Sequence, residues 1–184
     1  MTDLHKKDKI IKDDPTYSEL NIDSDLRLKQ LDVSQAEYLF ELTEKDREYL
    51  SKWLPWPNKT HSSQDSRVFI ESIIQKRKNK EEYGFGIEFE KNLVGHISLI
   101  HLKDVRDPEI GYWISSNYAG KGITTKAVTA LTQFGFNTLK LKKIIIRANP
   151  DNIASNKVAK KVGYLFSHQT EDKGELLNVW EILT

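Results

Sequence analysis

The chain has 184 residues, with 28 Lys and Arg against 27 Asp and Glu, a net charge of +1 and no cysteine. That length fits one domain with a substantial core, and the balanced charge gives no electrostatic grip on nucleic acid or a membrane surface. The lack of cysteine excludes disulfides, thiolate metal sites and a cysteine nucleophile.

Residues 1–19 are dominated by Lys and Asp around Pro15 and carry no sustained period, so they read as a flexible N-terminal arm. Residues 20–184 read as a single domain, with no repeat or low-complexity linker dividing them. No apolar run approaches the roughly 18 residues of a membrane span, and the lysine-rich start lacks a following apolar core. A cytoplasmic protein is expected. Leu26 to Leu31 alternates like a strand with one dry face. From Ser34 to about Lys52, Ala36, Leu39, Phe40, Thr43, Arg47 and Leu50 recur at helical spacing, predicting one amphipathic helix. Trp53-Leu54-Pro55-Trp56-Pro57 ends it, because a proline disfavours helical geometry just before itself. Trp53 is expected as a core plug and Trp56 as a cleft wall. Ser62 and Asp65 form a capping-box pattern ahead of a helix carrying Phe69, Ile70, Ile73 and Ile74.

The middle predicts an antiparallel meander: Phe85, Ile87 and Phe89 alternate with Gly86, Glu88 and Glu90, Lys91-Asn92 turns the chain, and Leu93 to Leu102 returns. Glu109 to Ser115 is the next strand. A helix follows from Gly122 to about Thr138, with Ile123, Ala127, Leu131 and Phe134 on one stripe. The strand Lys143 to Asn149 is apolar on both faces at Ile144-Ile145-Ile146, so it should be central. Asn152 caps a last helix with Ala154, Val158 and Val162 at i, i+4, i+8, and Gly163 stops it. Strands Tyr164 to Gln169 and Leu176 to Leu183 then turn around Asp172-Lys173-Gly174. The fold class is therefore mixed α/β.

Between the strand at Glu109 and the helix that follows lies Ala119-Gly120-Lys121-Gly122-Ile123-Thr124-Thr125. Two glycines flanking a lysine leave backbone N–H groups unobstructed where a helix begins, so free donors and the positive end of the helix dipole converge on one point. That point suits an anion such as a phosphate. Lys121 adds charge, and the hydroxyls of Thr124 and Thr125 can donate. A mononucleotide P-loop needs a longer glycine spacing closed by Gly-Lys-Ser/Thr, and a dinucleotide fingerprint needs a glycine at Thr125 and an acid where Lys140, Lys142 and Lys143 stand.

The text around the loop resembles the GCN5-related N-acetyltransferase (GNAT) family, in its branch of ribosomal-protein alanine and serine acetyltransferases. The resemblance rests on Glu109-Ile110-Gly111-Tyr112-Trp113-Ile114, on Gly120 to Val128, on Asn149-Pro150-Asp151-Asn152 through Val158, on Val162-Gly163-Tyr164, and on Trp53-Leu54-Pro55-Trp56. It covers roughly residues 20 to 184 and implies a largely antiparallel central sheet, splayed at the cofactor strand and flanked by helices on both faces. It further implies acetyl-CoA as acyl donor, its pyrophosphate on the loop, no metal, and a primary amine as acceptor. The first two helices and their connection would cover the acceptor side. Ala119 stands where the family usually has Gln or Arg, and Thr124 where it has Gly or Ala; Ala119 removes a polar side chain but no backbone donor.

Acetyl transfer to an amine needs a neutral amine, a polarised thioester carbonyl and stabilisation of the leaving thiolate. An α-amine, with a pKa of about 7.7–8.0, is partly neutral already, whereas a lysine at about 10.4 needs more help. Glu109, His96, His101 and His61 are candidate bases. Glu109 leads because the family often uses a glutamate on this strand, although a strand-edge carboxylate in an ion pair is a comparable reading. Main-chain groups around Trp113 and Ile114 are expected to hold the thioester carbonyl and pantetheine amides, at a bulge in that strand. Many relatives protonate the thiolate with a tyrosine of the last helix, but Ala159 stands there, so Ser155 is the expected substitute. Asn152 and Asn156, with Lys157 and Lys160, are expected to meet the coenzyme. The acceptor implied is a protein N-terminus, or else a small amine such as a polyamine or aminosugar, for which Glu81, Glu82, Asp104, Asp107 and Glu109 could supply carboxylates. A non-catalytic acyl-CoA-binding module is the rival from another class. A homodimer and a monomer both stay open.

Overall fold

A computed structural model describes residues 17–184. Of the expected N-terminal arm, residues 1–16 lie outside the described residues. Order begins earlier than the sequence suggests: β1 (Glu19–Asn21) pairs antiparallel with β2 (Leu26–Lys29). Just before β1, the ring of Tyr17 meets Phe134 edge-on, and its carbonyl accepts from Arg77.

The amphipathic stretch after β2 breaks in two. A short 3-10 turn, capped by Asp32, leads into α1 (Ala36–Lys45), and α2 (Arg47–Ser51) follows after Asp46. The sequence predicts one helix here. The break arises because Asp46, buried at 5% exposure, turns its carboxylate to Ser116 beyond the fifth strand. Arg47 then fixes the proline-rich connection by donating to the carbonyls of Pro57 and Thr60. Ser62 and Asp65 form the expected capping box at the head of α3 (Ser63–Lys78).

β3 (Tyr83–Phe89), β4 (Asn92–Ile100) and β5 (Glu109–Ile114) form the meander, followed by α4 (Ile123–Asn137), β6 (Lys143–Ala148), α5 (Ile153–Val162), β7 (Leu165–Asp172) and β8 (Glu175–Leu183). The eight strands of the described residues make one sheet in the order β1-β2-β3-β4-β5-β6-β8-β7. All neighbours are antiparallel except β5 and β6, which are parallel. β6 is central, with Ile144, Ile145 and Ile146 all buried. The last two strands run longer than their apolar runs, because Lys173 and Gly174, both at positive φ, form a tight hairpin turn.

Helices cover both faces. On one, Val128, Leu131 and Phe134 of α4 pack against Phe85, Ile97, Leu99, Ile144 and Ile146. On the other, Leu39 of α1 and Ile70 and Ile73 of α3 pack with Leu93 and Trp113. Tyr164 is buried beneath α5, sharing a hydrogen bond of 2.8 Å with Thr132.

The parallel pair positions the site. β5 pairs with β4 along its whole length, but with β6 only at Glu109 opposite Ile145. Beyond that point the strands diverge. The opening is thus the splay that the family resemblance implies, at the β6 edge, but without the expected bulge in β5; the register shifts lie in β3 and β7 instead. On its other side β5 lies tight against β4: a Cβ at Gly95 would fall 2.3 Å from the Trp113 carbonyl oxygen.

Candidate active site

A cleft of about 610 Å³ occupies the splay. Its walls come from α2 and the following connection (Tyr49, Leu50, Trp53, Leu54), β5 (Tyr112, Trp113, Ile114), the loop from Tyr118 into α4, and the first turns of α5.

The loop behaves as its glycines require. Gly120 and Gly122 have φ of +76° and +80°, a region where an L side chain is strained, and a Cβ built on either meets nothing within 4 Å. The space beside them is open to the cleft. Gly122 is the N-cap of α4 and no side chain caps that helix; the Lys126 N–H bonds back to the Gly122 carbonyl at 3.1 Å. The amides before Lys126 therefore remain at the positive end of a 15-residue helix. Ala119, Gly120, Gly122, Thr124 and Thr125 all line the cleft. This matches what a diphosphate needs: several convergent N–H donors and no Cβ in the way.

Two loop residues depart from expectation. Lys121 does not line the cleft; its ammonium lies 5.0 Å from the centre of the Tyr118 ring. Ile123 turns its side chain into the core at 3% exposure, so only its backbone remains for a ligand.

α5 contributes Asn152, Ser155 and, from the rim, Lys157 and Lys161. The Asn152 side chain accepts from the Ser155 N–H at 3.1 Å, so this residue both caps the helix and faces the cleft. Asn156 does not reach the cleft. Its amide donates to the carbonyls of Asn149 and Asn152 and its oxygen accepts from Asn178 and Trp180, which spends the group on tying α5 to β8. Lys161, rather than Lys160, lines the cleft, and Ala154, expected on the buried stripe, faces it as well.

The tryptophans exchange their expected roles. Trp53 lines the cleft at 37% exposure, while Trp56 is half-buried, its ring 5.6 Å from that of Trp113, against the core beneath α1 and α3. Trp56 stands at the head of the 3-10 turn at Pro57–Lys59.

The candidate bases lie elsewhere. Glu109 is at the far end of β5, absent from the cleft wall, and accepts from Arg147 at 2.9 Å. Burial pushes its carboxyl above the usual range, and the Arg147 charge opposes that shift. It is the ion-paired strand carboxylate. His96 is wholly buried against the Phe69 ring edge, and burial drives its pKa down to about 3, so it is neutral. His101 sits 3.6 Å from Asp104 and 3.9 Å from Glu109. His61 serves the α3 capping turn through its backbone N–H, which donates to Asp65. Of the carboxylates, Glu82 pairs with Lys76, Asp104 with Arg106, and Asp107 with Lys143. Among the described residues, Asp151 is the one acidic residue that lines the cleft. Among the described residues no group of three His, Cys, Asp or Glu side chains is placed to hold a metal, and no helix is long and apolar enough to cross a membrane.

Sequence reasoning missed Tyr112. Its ring crosses from β5 to α5, where its hydroxyl lies 2.9 Å from the Ser155 Oγ and donates to the Ser155 carbonyl at 3.3 Å. Burial pushes its pKa up to about 12, against the Ser155 bond, so the phenol stays protonated. The missing tyrosine at Ala159 was the available signal that another hydroxyl had to reach this place.

The family pattern of the acetyltransferase (GNAT) domain matches residues 25–165. The chain is 32% identical over 156 residues to YdaF of Bacillus subtilis (strain 168), provisionally named a ribosomal N-acetyltransferase, with 82% of this chain and 84% of that protein covered. It is 26% identical over 147 residues to the ribosomal-protein-serine acetyltransferase of Escherichia coli (strain K12), covering 79% and 82% of the two. Its fold superposes on RimL, a ribosomal L7/L12 alpha-N-protein acetyltransferase solved with coenzyme A. The TM-score is 0.83 at 22% identity, over 90% of this chain and 97% of that one.

Proposed function

The chain belongs to the GNAT acetyltransferase family, and on that premise we propose that it moves the acetyl group of acetyl-CoA directly onto the N-terminal α-amine of a ribosomal protein. The observation that carries this reading is the unobstructed set of amides from Gly120 to Thr125, opening into the same cleft as Ser155 and Trp53. The amides take the diphosphate, with Lys157 and Lys161 at the rim for further phosphate charge. The unpaired edge of β5 at Trp113 and Ile114 takes the pantetheine amides and the thioester carbonyl, in the manner of a strand partner. Residues 20–184 act as one acetyltransferase domain, and the cytoplasm, where acetyl-CoA and new ribosomal proteins meet, is its place of work.

No thiol is present to carry the acyl group, so the amine attacks the thioester itself. The C–N bond forms, the C–S bond breaks, and the thiolate leaves towards the Ser155 hydroxyl. The amine's proton goes to water. Because Glu109 is tied to Arg147 away from the cleft, the amine enters already neutral, which suits an α-amine of pKa about 7.7–8.0 and not a lysine at about 10.4.

A polyamine acceptor is the second reading, and the charges argue against it. A polycation pocket needs unpaired carboxylates, whereas Glu82, Asp104, Asp107 and Glu109 are each engaged by a cation, and these four and Glu81 all lie outside the cleft wall. The names of the two sequence relatives also favour a ribosomal protein. Thiol release from acetyl-CoA, measured with Ser- and Ala-starting ribosomal-protein peptides and with spermidine, tests the proposal. Turnover with the peptides is expected; turnover with spermidine alone favours the second reading, and none with either leaves only a binding module.

A further inference from the structure

Resting on that reading, we propose that Tyr112 is a positioning residue for the leaving thiolate: its hydroxyl supports the Ser155 Oγ so that the serine proton points at the departing sulfur. The geometry is specific. The phenol has two acceptors on one residue, the Ser155 carbonyl at 3.3 Å and the Ser155 Oγ at 2.9 Å. It carries a single proton, so the pair has two arrangements. In one, Tyr112 donates to the carbonyl and Ser155 donates to Tyr112. In the other, Tyr112 donates to the Oγ, and the serine proton is released into the cleft that both side chains line. Rotation about two C–O bonds interconverts them without moving a heavy atom.

The chemistry selects the second arrangement as charge develops on sulfur. A serine hydroxyl is a poor acid but a good donor to an anion, and it donates better when its own oxygen accepts a hydrogen bond. The phenol must itself remain protonated for this, and its burial keeps it so. Among the described residues no histidine lines the cleft to compete for the role, and the sole carboxylate there, Asp151, would repel the anion. Tyr112 passes no proton to sulfur: the thiolate departs as an anion held by Ser155 and is protonated by water.

A kinetic cycle with acetyl-CoA and a Ser-starting peptide tests this, using Tyr112→Phe, Ser155→Ala and the double variant. Each single change is expected to lower kcat by about tenfold with KM for acetyl-CoA within about twofold, and the double variant to be no slower than Ser155→Ala. Ser155→Thr, which keeps a hydroxyl, should restore the sensitivity to Tyr112→Phe. Independent effects that multiply to about a hundredfold, or a Tyr112→Phe effect confined to KM or to thermal stability, would overturn the role. Loss of the wild-type turnover itself would instead strike at the acetyl-transfer reading, so the two failures are told apart.

Discussion

Asp46 and Ser116 stand seventy residues apart and share two hydrogen bonds, the Asp46 carboxylate accepting from the N–H and the Oγ of Ser116. The contact fastens the junction of α1 and α2, which supplies the Tyr49 and Trp53 wall of the cleft, to the turn that leads from β5 into Gly120. One buried carboxylate therefore sets the distance between the two sides of the site.

Asp46→Ala should cost about 1–3 kcal/mol, because it frees the Ser116 turn and leaves the buried Ser115 hydroxyl without its carboxylate acceptor; urea unfolding measures this. Burial raises the Asp46 pKa, but the bonds from Ser115 and Ser116 outweigh it and hold the carboxyl below its ordinary 3.8. A carboxyl with a depressed folded pKa contributes stability in full above that ordinary value and loses it as pH falls through the folded one. The wild-type urea midpoint should accordingly drop on acidification below about pH 4, and that of Asp46→Asn should drop less. Equal slopes would remove Asp46 from the account.

The two tryptophans should separate in assay. Trp56→Ala removes a half-buried ring packed on Trp113 at the margin of the core and should cost about 3 kcal/mol, with binding affected only through the loss of fold. Trp53→Ala exposes little new core and should leave the melting temperature within a few degrees while raising KM for the peptide acceptor. The reverse pattern would restore the roles the sequence suggests.

Glu109→Gln should keep kcat within about threefold between pH 7 and pH 9, since the carboxylate is bound to Arg147 and no proton passes through it. The rate should rise with pH on the acceptor's own ionisation, near about 7.7–8.0. A variant that loses the rise, or falls a hundredfold, would return Glu109 to the role of base.

What the sequence disclosed follows from how local each determinant is. The strand before Gly120, the glycines at positive φ, the Ser62 capping box and the Gly163 stop are written within a few residues of where they act, and each stands where the sequence predicts it. The break at Asp46 was invisible because its partner lies beyond β5, and helical periodicity runs straight through it. Asn156 looked like a ligand residue and is held by Asn178 and Trp180 on a strand that arrives later. Tyr112 read as one apolar strand position among several until α5 was placed across from it. Similarly, β1 carries too few residues to show a period, and its pairing with β2 is what orders it.

The central claim is that main-chain amides at the head of α4 grip the coenzyme's diphosphate. Calorimetric titration of acetyl-CoA into the wild type and into Gly122→Val addresses it directly, with circular dichroism to establish that the variant is folded. A β-branched side chain at φ of +80° strains the turn and intrudes on the open side of the loop, so affinity should fall by at least about tenfold, which is 1.4 kcal/mol. A folded Gly122→Val protein that binds acetyl-CoA as tightly as the wild type would contradict the account.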